Sequence, residues 1–447
     1  MITLSREALG EAAAAGGPPP LSVLAAVVRR HEQALPRWQR LRRYFEGRND
    51  RILGRGEGET RLPHPIARYI ALLSSGYLTG QPVRYEAAGQ EEALAALRRL
   101  LALSASDSVD SELSLNAAVY GKGVERVYMG PDGLPHIASL SPEEAFVVYD
   151  DTVAHAPLFG VQLIRRQTPD GRPDGVLAEV LTPALCCRYR AEETSALPSA
   201  ALVSSDPHCF GGVPLVEYWN NFDETGDFEP VLPLIDGYDA LQTDRLRDKE
   251  QFVDSLLVLT GCQLRQTYHT RRVVDEDGMI SEEQVPDELP ERRLKKDRLL
   301  TLPDSDASAQ YLSHSFHEAD TEVLRAALRE DIRRLSLVPD LSDQSFAQNL
   351  SGVAMRYKLM GLEQLAAIKE RWFREALRVR LRLFAACLTA LGLPALDADA
   401  VSVRFTRSLP QDREETARLI SLLRDVVPKE TLLSLLPREA LPEGGDA

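Results

Sequence analysis

The feature that most constrains the fold is an amphipathic segment of 38 residues, Ser351–Leu388, that contains no proline. Its apolar residues recur at helical spacing and include one stripe made of Leu365, Ile368, Trp372, Val379 and Leu383. A continuous helix of this length would reach about 57 Å. We therefore predict a strut that joins parts of the molecule, and not a helix inside one compact core.

Two further long helices, Leu234–Leu259 and Glu318–Leu337, are predicted on either side of a polar, charged stretch, Cys262–His317. The stretch is too long for a plain loop, so we predict that it has a small fold of its own, with a hairpin turn at Asp275–Gly278. Helices that enclose an inserted module would form an antiparallel stalk with a tip. A polar loop, Asp340–Asn349, follows the second helix.

The segment Gly121–Asn221 is dominated by strand-like runs. The first two runs, Gly123–Met129 and Pro135–Leu140, are separated by Gly-Pro-Asp-Gly, which favours a tight turn. Helices are predicted before and after this module, so the predicted fold class is α+β and helix-rich. Residues 1–20 end in Gly-Gly-Pro-Pro-Pro, and we predict that they form a flexible arm.

The chain is acidic, with 52 Lys and Arg against 67 Asp and Glu and a net charge of −15. Phosphates are neutralised by clustered cations, so this balance argues against a protein that grips DNA tightly, although not against one that encloses it. The longest apolar stretch, Leu381–Leu396, is too short to span a bilayer, and no signal peptide is predicted. We interpret the five cysteines, which include no CxxC pair, as small buried side chains in a reducing cytosol.

The sequence carries only weak candidates for catalytic and metal-binding motifs. The sequence has no phosphate loop, no G-x-S-x-G and no H-E-x-x-H. His314 and His317 have no third ligand nearby, and with Gly278 at position six a calcium loop would need Glu where Gln284 stands. We predict no catalytic site, no metal and no cofactor.

Several short runs, in this order and spacing, resemble one known family. They are Tyr44-Phe45-Glu46-Gly47, Tyr77-Leu78-Thr79-Gly80-Gln81-Pro82-Val83, Ala117–Glu125, Ser141–Asp151, Pro339–Asp343 and Asn349–Leu359. Over about residues 30–435 the chain resembles the portal (head–tail connector) proteins of long-tailed bacteriophages, in the branch found in phages of Gram-positive hosts. The resemblance implies a ring of twelve subunits at one capsid vertex, through which double-stranded DNA is packaged and later ejected.

The resemblance also implies an architecture of wing, stem, clip and crown. Beyond the arm at 1–20, the implied regions are the wing at 21–230 and 351–410, the stem helices at 231–261 and 318–338, the clip at 262–317, the tunnel loop at 339–350 and a short crown at 411–447. It implies that the tunnel loop faces DNA through Asp343, Gln344, Ser345, Phe346, Gln348 and Asn349.

The first stem helix carries many charges, and two interpretations stay open. One is a solvated surface helix with local ion pairs. The other is a channel-lining face, with lumen candidates Asp239, Asp244, Arg247 and Asp248. The second stem helix has an apolar stripe that suits contact with an identical neighbour, and its candidates are Leu324, Leu328, Ile332 and Leu335.

The partners implied are further copies of the chain, passing double-stranded DNA, the large terminase subunit, a head–tail adaptor, and scaffolding and major capsid proteins, with no membrane. The implied location is the virion, after assembly in the host cytoplasm. Two alternatives remain: another ring-shaped connector or adaptor, and a metal-dependent packaging nuclease. The connectors are usually smaller and lack the strut helix, and the nuclease would need clustered carboxylates at strand ends.

Overall fold

The fold was obtained as a computed structural model that describes residues 1–10, 16–50, 62–253, 256–260, 268–274, 280–286, 308–312, 318–341, 352–407 and 421. The chain forms two compact units. The first comprises residues 1–57, 61–240 and 326–447, and the second comprises residues 58–60 and 241–325.

Helices and strands together confirm the α+β class. The helices are α1 (Leu21–Glu32), α2 (Leu35–Phe45), α3 (Ile66–Thr79), α4 (Glu91–Leu103), α5 (Ser106–Tyr120), α6 (Leu232–Val253), α7 (Glu318–Ser336), α8 (Gly352–Lys358) and α9 (Met360–Ala390). The strands up to the second unit are β1 (Ile2–Leu4), β2 (Arg84–Glu86), β3 (Lys122–Met129), β4 (Pro135–Leu140), β5 (Ala145–Asp150), β6 (Pro157–Gln167), β7 (Pro173–Leu181), β8 (Leu185–Ala191), β9 (Ala201–Pro207) and β10 (Leu215–Trp219). The remaining strands are β11 (Leu256–Thr260), β12 (Tyr268–Val274), β13 (Ile280–Pro286), β14 (Ser308–Leu312) and β15 (Ser402–Arg404). None of the described helices is long and apolar enough to cross a membrane.

A six-stranded sheet in the order β1-β5-β6-β7-β8-β9 packs one face against α1. The prediction that residues 1–20 form a flexible arm was wrong at their start. Ile2–Leu4 forms the edge strand β1, which pairs in parallel with Val148–Asp150. Two side-chain contacts outside the strand hold this segment: Leu9 is buried in the same core, and Arg6 pairs with Asp150 at 2.9 Å. The prediction gave too much weight to the alanines, glycines and prolines that follow.

A second sheet, in the order β10-β3-β4, contains the predicted hairpin. Strands β3 and β4 pair antiparallel from Val124 with Leu140 to Met129 with Pro135. The turn between them closes with a hydrogen bond from the Gly130 amide to the Leu134 carbonyl at 2.8 Å. The hairpin prediction is therefore confirmed.

The strut is a long helix with a break near its start. α8 ends at Lys358, and α9 then runs for 31 residues, about 47 Å. The prediction of one continuous helix was wrong at Leu359, which is buried among apolar side chains, and a Cβ on Gly361 would lie 3.2 Å from the Leu337 carbonyl. The tight contact at Gly361 shows how closely this part of the helix lies against the end of α7. The rest of α9 packs against α4 and the β10-β3-β4 sheet.

The second unit is built on the far part of α6, on the N-terminal part of α7 and on two strand pairs. The first stem helix was predicted to reach Leu259, but α6 ends at Val253. Leu256–Thr260 is instead strand β11, paired antiparallel with β14. Its sequence, Leu-Leu-Val-Leu-Thr, is a short apolar run that suits a strand as well as a helix, which explains the error. β12 and β13 pair antiparallel from Tyr268 with Pro286 to Val274 with Ile280, as the predicted hairpin requires.

Several predicted regions lie outside the described residues. They are residues 342–350 of the tunnel loop, which include all six DNA-facing candidates, most of the clip, and the crown apart from residue 421.

Candidate functional site

The first turns of α6 are anchored in the first unit. Leu232, Ile235 and Tyr238 are buried in a core shared with α2 and α3. Between them, Asp236 accepts a hydrogen bond from the Tyr44 hydroxyl at 2.7 Å. Burial raises the pKa of Tyr44, and the neighbouring Asp236 carboxylate raises it further. The base of the predicted stem is thus part of the body of the molecule.

Asp239, predicted as a lumen residue, is completely buried in the first unit. Its carboxylate accepts hydrogen bonds from the backbone amide and from Nδ1 of His64, both at 3.0 Å, and from the side-chain amide of Asn49. The lumen assignment of Asp239 is therefore wrong. The carboxylate instead ties α6 to the residues on either side of segment 51–61. Sequence reasoning missed this because both partners lie at least 175 residues away.

The other three lumen candidates, Asp244, Arg247 and Asp248, are exposed on the part of α6 that belongs to the second unit. Nearby, Arg245 pairs with Glu322 of α7 at 3.0 Å. Hydrogen bonds from Arg325 and then from Arg245 lower the pKa of Glu322 to about 2. Exposure with local ion pairs fits both the solvated face and the channel-lining face, so the lumen assignment of these three stays a prediction.

The four candidates for subunit packing on α7 divide into two pairs. Ile332 is buried in the core of its own unit, and Leu328 packs against that core. Leu324 and Leu335 keep 51% and 60% of their surface exposed. One edge of the apolar stripe on α7 therefore packs within the chain, while the other edge is exposed to solvent. Ile332 and Leu328 are therefore core residues, and only Leu324 and Leu335 remain available to a neighbour.

The first residues of the predicted tunnel loop, 339–341, are held at three points. The Tyr69 hydroxyl donates to the Pro339 carbonyl at 2.9 Å and accepts from the Leu341 amide at 3.0 Å. Asp340, between them, accepts hydrogen bonds from Arg329 and Arg333 of α7. We call Tyr69, Arg329, Arg333 and Asp340 the clamp. It holds the backbone from Pro339 to Leu341 against α3 and α7.

Buried ion pairs bind the strut helix to the β10-β3-β4 sheet and to α5. Arg380 has no exposed surface and contacts Asp110 and Glu125, each at 2.7 Å. The Tyr218 hydroxyl donates to Glu125 at 2.6 Å. Burial raises the pKa values of Asp110 and Glu125, and the Arg380 charge opposes that rise. A buried charge without a partner would be strongly destabilising. Because Arg380 must stay next to both carboxylates, these ion pairs fix the position of α9 against α5 and β3.

A second buried pair lies nearer the start of the strut. Lys369 Nζ contacts Asp227 at 2.5 Å, and both side chains are buried. Asp227 also accepts hydrogen bonds from Ser74 of α3 and, at 2.7 Å, from Asn220. Sequence reasoning named none of these residues, because isolated charges in an amphipathic helix look like surface positions until their partners are known.

Among the described residues, no group of three or more His, Cys, Asp or Glu side chains is arranged to hold a metal ion. Comparison with known proteins gave one family. The family model described as "Phage portal protein, SPP1 Gp6-like" matches residues 24–443. No curated protein matches the chain.

Proposed function

Because the chain belongs to the family of SPP1 Gp6-like phage portal proteins, we propose that it forms a dodecameric ring at one capsid vertex through which double-stranded DNA is packaged and ejected. The observation that carries the proposal is the extent of the family match, which covers residues 24–443 of 447. The family is structural and not catalytic, so the proposed role is that of a channel and a docking platform.

The charge of the chain supports a channel that lets DNA pass. With a net charge of −15 per subunit, a ring has few spare cations with which to hold phosphates. Asp244 and Asp248 are exposed on α6 together with Arg247, and α6 is proposed to line the channel. A wall on which carboxylates outnumber cations denies the DNA backbone stable contacts and so lowers friction during translocation.

The anchoring of the long helices supports a rigid wing. Arg380 and Lys369 join the strut to the surrounding elements through buried ion pairs, and Asp239 joins α6 to the same unit. A subunit that carries the load of a packaging motor needs such fixed connections. We propose that the strut keeps the wing in one shape while the stem and loop contact DNA.

Residues 339–350 are proposed to form the tunnel loop, and those from Asp343 to Asn349 are proposed to face the DNA. The support is their position directly after the clamp and their composition, which is polar and without cations. Asp343, Gln344, Ser345, Gln348 and Asn349 would contact the DNA backbone loosely. Phe346 is the one apolar side chain among the six candidates.

Docking partners are proposed from the family. Residues 262–317 would form the clip, which meets the large terminase subunit during packaging and a head–tail adaptor afterwards. Residues 411–447 would form a short crown inside the capsid, and the ring would contact scaffolding and major capsid proteins during assembly in the host cytoplasm. The proposed final location is the portal vertex of the virion.

Negative-stain electron microscopy of the purified chain tests the proposal. We expect rings with a central hole wide enough for a DNA duplex. A monomer or a closed dimer at micromolar concentration would overturn the channel.

Two further measurements separate the alternatives. Incubation of DNA with the purified chain and Mg²⁺ or Mn²⁺ tests for a packaging nuclease, and chelator-sensitive cleavage would favour that enzyme. Complementation of a phage that lacks its portal separates a portal from a smaller connector, because only a portal restores DNA-filled capsids.

A further inference from the structure

Two cysteines that are far apart in the sequence have their sulfur atoms in contact. Cys209 lies between β9 and β10, and Cys387 lies near the C-terminal end of α9. Their Sγ atoms are 3.1 Å apart, although 178 residues separate them along the chain. Both are free thiols in the structure, as are Cys186 and Cys187. A disulfide bond is about 2.05 Å long, so a shift of about 1 Å would bring the sulfurs to bonding distance.

The fold holds these two thiols together through the backbone around Cys209. A Cβ placed on Gly211 would lie 3.3 Å from the Cβ of Ala386, and one on Gly212 would lie 3.2 Å from a methyl group of Leu383. The segment after β9 therefore approaches α9 closely along a full turn of the helix. The two sulfurs meet because the surrounding backbones are packed, not because two side chains are extended across a gap.

We propose that Cys209 and Cys387 form a redox-active pair that closes to a disulfide when the protein leaves a reducing compartment. The timing rests on the proposed function, since a portal subunit assembles in the host cytoplasm and then leaves in a virion. Cytoplasmic thiols are kept reduced, whereas disulfides persist on particles outside cells. The pair would thus be open during assembly and closed in the released particle.

The oxidant we name is a small-molecule disulfide such as oxidised glutathione, and the exchange has two steps. The Cys209 thiolate attacks one sulfur of the small disulfide, which forms a mixed disulfide and releases one small thiolate. The Cys387 thiolate then attacks the Cys209 sulfur, which forms the internal disulfide and releases the second small thiolate. Two protein thiols lose two protons and two electrons, and the small disulfide is reduced to two thiols.

The surroundings assign the order of the two attacks. Cys209 is half-buried, and its neighbours His208 and Phe210 line a cavity of 460 Å³ that Met129 also borders. Cys387 is fully buried, and burial raises the pKa of its thiol, with the Cys209 contact adding to the rise. Cys209 is therefore the thiol that reaches an external disulfide first, and Cys387 is the resolving thiol.

Purified full-length protein treated with oxidised glutathione provides the test. After alkylation of free thiols and digestion without reduction, mass spectrometry should detect the peptide of Cys209 joined to the peptide of Cys387. The bond closes a loop of 178 residues, and we expect it to raise the melting temperature by about 5 °C, reversibly with dithiothreitol. Cys209→Ser should abolish both the crosslinked peptide and the dithiothreitol-sensitive shift.

Cys186→Ser is the matched control, because it removes a partly exposed thiol that borders the same cavity and should leave the crosslink between Cys209 and Cys387 unchanged. Oxidation that yields only mixed disulfides, or a crosslink of either cysteine to another position, would overturn the pair. If Cys209→Ser does not fold, the oxidised wild-type protein can still be measured with and without dithiothreitol. A melting temperature that dithiothreitol lowers would support the disulfide, and one that it leaves unchanged would contradict it. Failure of this chemistry in protein that forms rings would refute the pair alone, whereas absence of rings would refute the channel.

Discussion

Arg380 shows how a single residue fixes a long helix. It is completely buried, and its guanidinium contacts two carboxylates that belong to α5 and β3. Removing one partner from a buried ion pair leaves an uncompensated charge, which is far more damaging than the loss of an exposed pair. Two residues further along α9, Arg382 pairs with Asp399 at the surface, so the helix offers its own comparison.

Arg380→Met is expected to lower the free energy of unfolding by about 3 kcal/mol or more, because Asp110 and Glu125 lose the charge that compensates them. Arg382→Met removes an exposed pair and should lower it by less than about 1 kcal/mol. Urea denaturation followed by circular dichroism measures both variants. Equal losses for the two substitutions would contradict the role given to Arg380.

His31 provides a prediction for the pH dependence of stability. Burial lowers the pKa of His31 from 6.5 to about 4, against a hydrogen bond to the Glu143 carbonyl that partly opposes this. Between these two values the unfolded chain binds a proton that the folded chain does not, so stability falls as the pH drops from above 6.5 to 4. The shift corresponds to about 3 kcal/mol.

The matched variant is His31→Gln, which keeps a donor for Glu143 and cannot titrate. We expect the free energy of unfolding of the wild-type protein, relative to that of this variant, to fall by about 3 kcal/mol between pH 7.5 and pH 4. Below pH 4 the difference between the two proteins should not change further. Urea denaturation at several pH values measures the difference. A difference between the two proteins that is constant with pH would show that His31 is not held neutral in the fold.

At the scale of elements, local sequence signals predicted most helices and the first hairpin. Gly-Pro-Asp-Gly at residues 130–133 fixes a turn without help from the rest of the chain, and β3 and β4 lie where it predicts. The strand β9 carries no such local signal, because it is an edge strand whose residues are mostly exposed and no alternation of buried and exposed positions marks it. β1 was missed because a three-residue strand is stable only on an edge that the sequence does not reveal.

The sequence predicted the candidate site less well than it predicted the fold. Charge patterning along α6 grouped Asp239 with Asp244 and Asp248, since all three are carboxylates of one helix. Only the tertiary structure shows that Asp239 meets His64 and Asn49, and that the others do not share its burial. Pairings between residues so far apart depend on the packing of whole elements, which composition and periodicity do not encode.

The clamp yields a prediction about the first residues of the proposed tunnel loop. Tyr69→Phe removes one hydroxyl, and with it the acceptor of the Leu341 amide and the donor to the Pro339 carbonyl. A hydrogen bond of this kind contributes about 1 kcal/mol, so the peptide that contains Leu341 should exchange its amide hydrogens about fivefold faster. Hydrogen–deuterium exchange with mass spectrometry measures the rate.

Tyr357→Phe is the control for the clamp, because that hydroxyl belongs to an exposed tyrosine of α8. It should leave the exchange of the Leu341 peptide unchanged. Ring formation should be preserved in both variants, since Tyr69 is a positioning residue and not a core residue of the wing. Unchanged exchange in Tyr69→Phe would mean that Asp340 and its two arginines hold the chain without the hydroxyl.

At the scale of the whole molecule, charge and rigidity serve the same proposed task. Buried cations such as Arg380 and Lys369 are fully paired inside the first unit, where they stiffen the strut. They are therefore not available to phosphates. The candidate DNA-facing residues at 343–346, 348 and 349 include no cation.

This distribution predicts what a single added cation would do. Gln344→Arg or Gln348→Arg would put one positive charge per subunit on the proposed tunnel loop, where it can pair with a phosphate. We expect tighter binding of double-stranded DNA by the ring, a steeper fall of affinity with salt, and impaired packaging. Gln167→Arg adds the same charge at an exposed position of β6 and should change none of these. Filter binding across a salt series and a packaging assay measure the outcome, with ring assembly checked by microscopy. Normal packaging and an unchanged salt slope in both loop variants would place the DNA contact elsewhere in the ring. A cation added to a wall that contacts DNA should pair with a phosphate, and both measurements would then change.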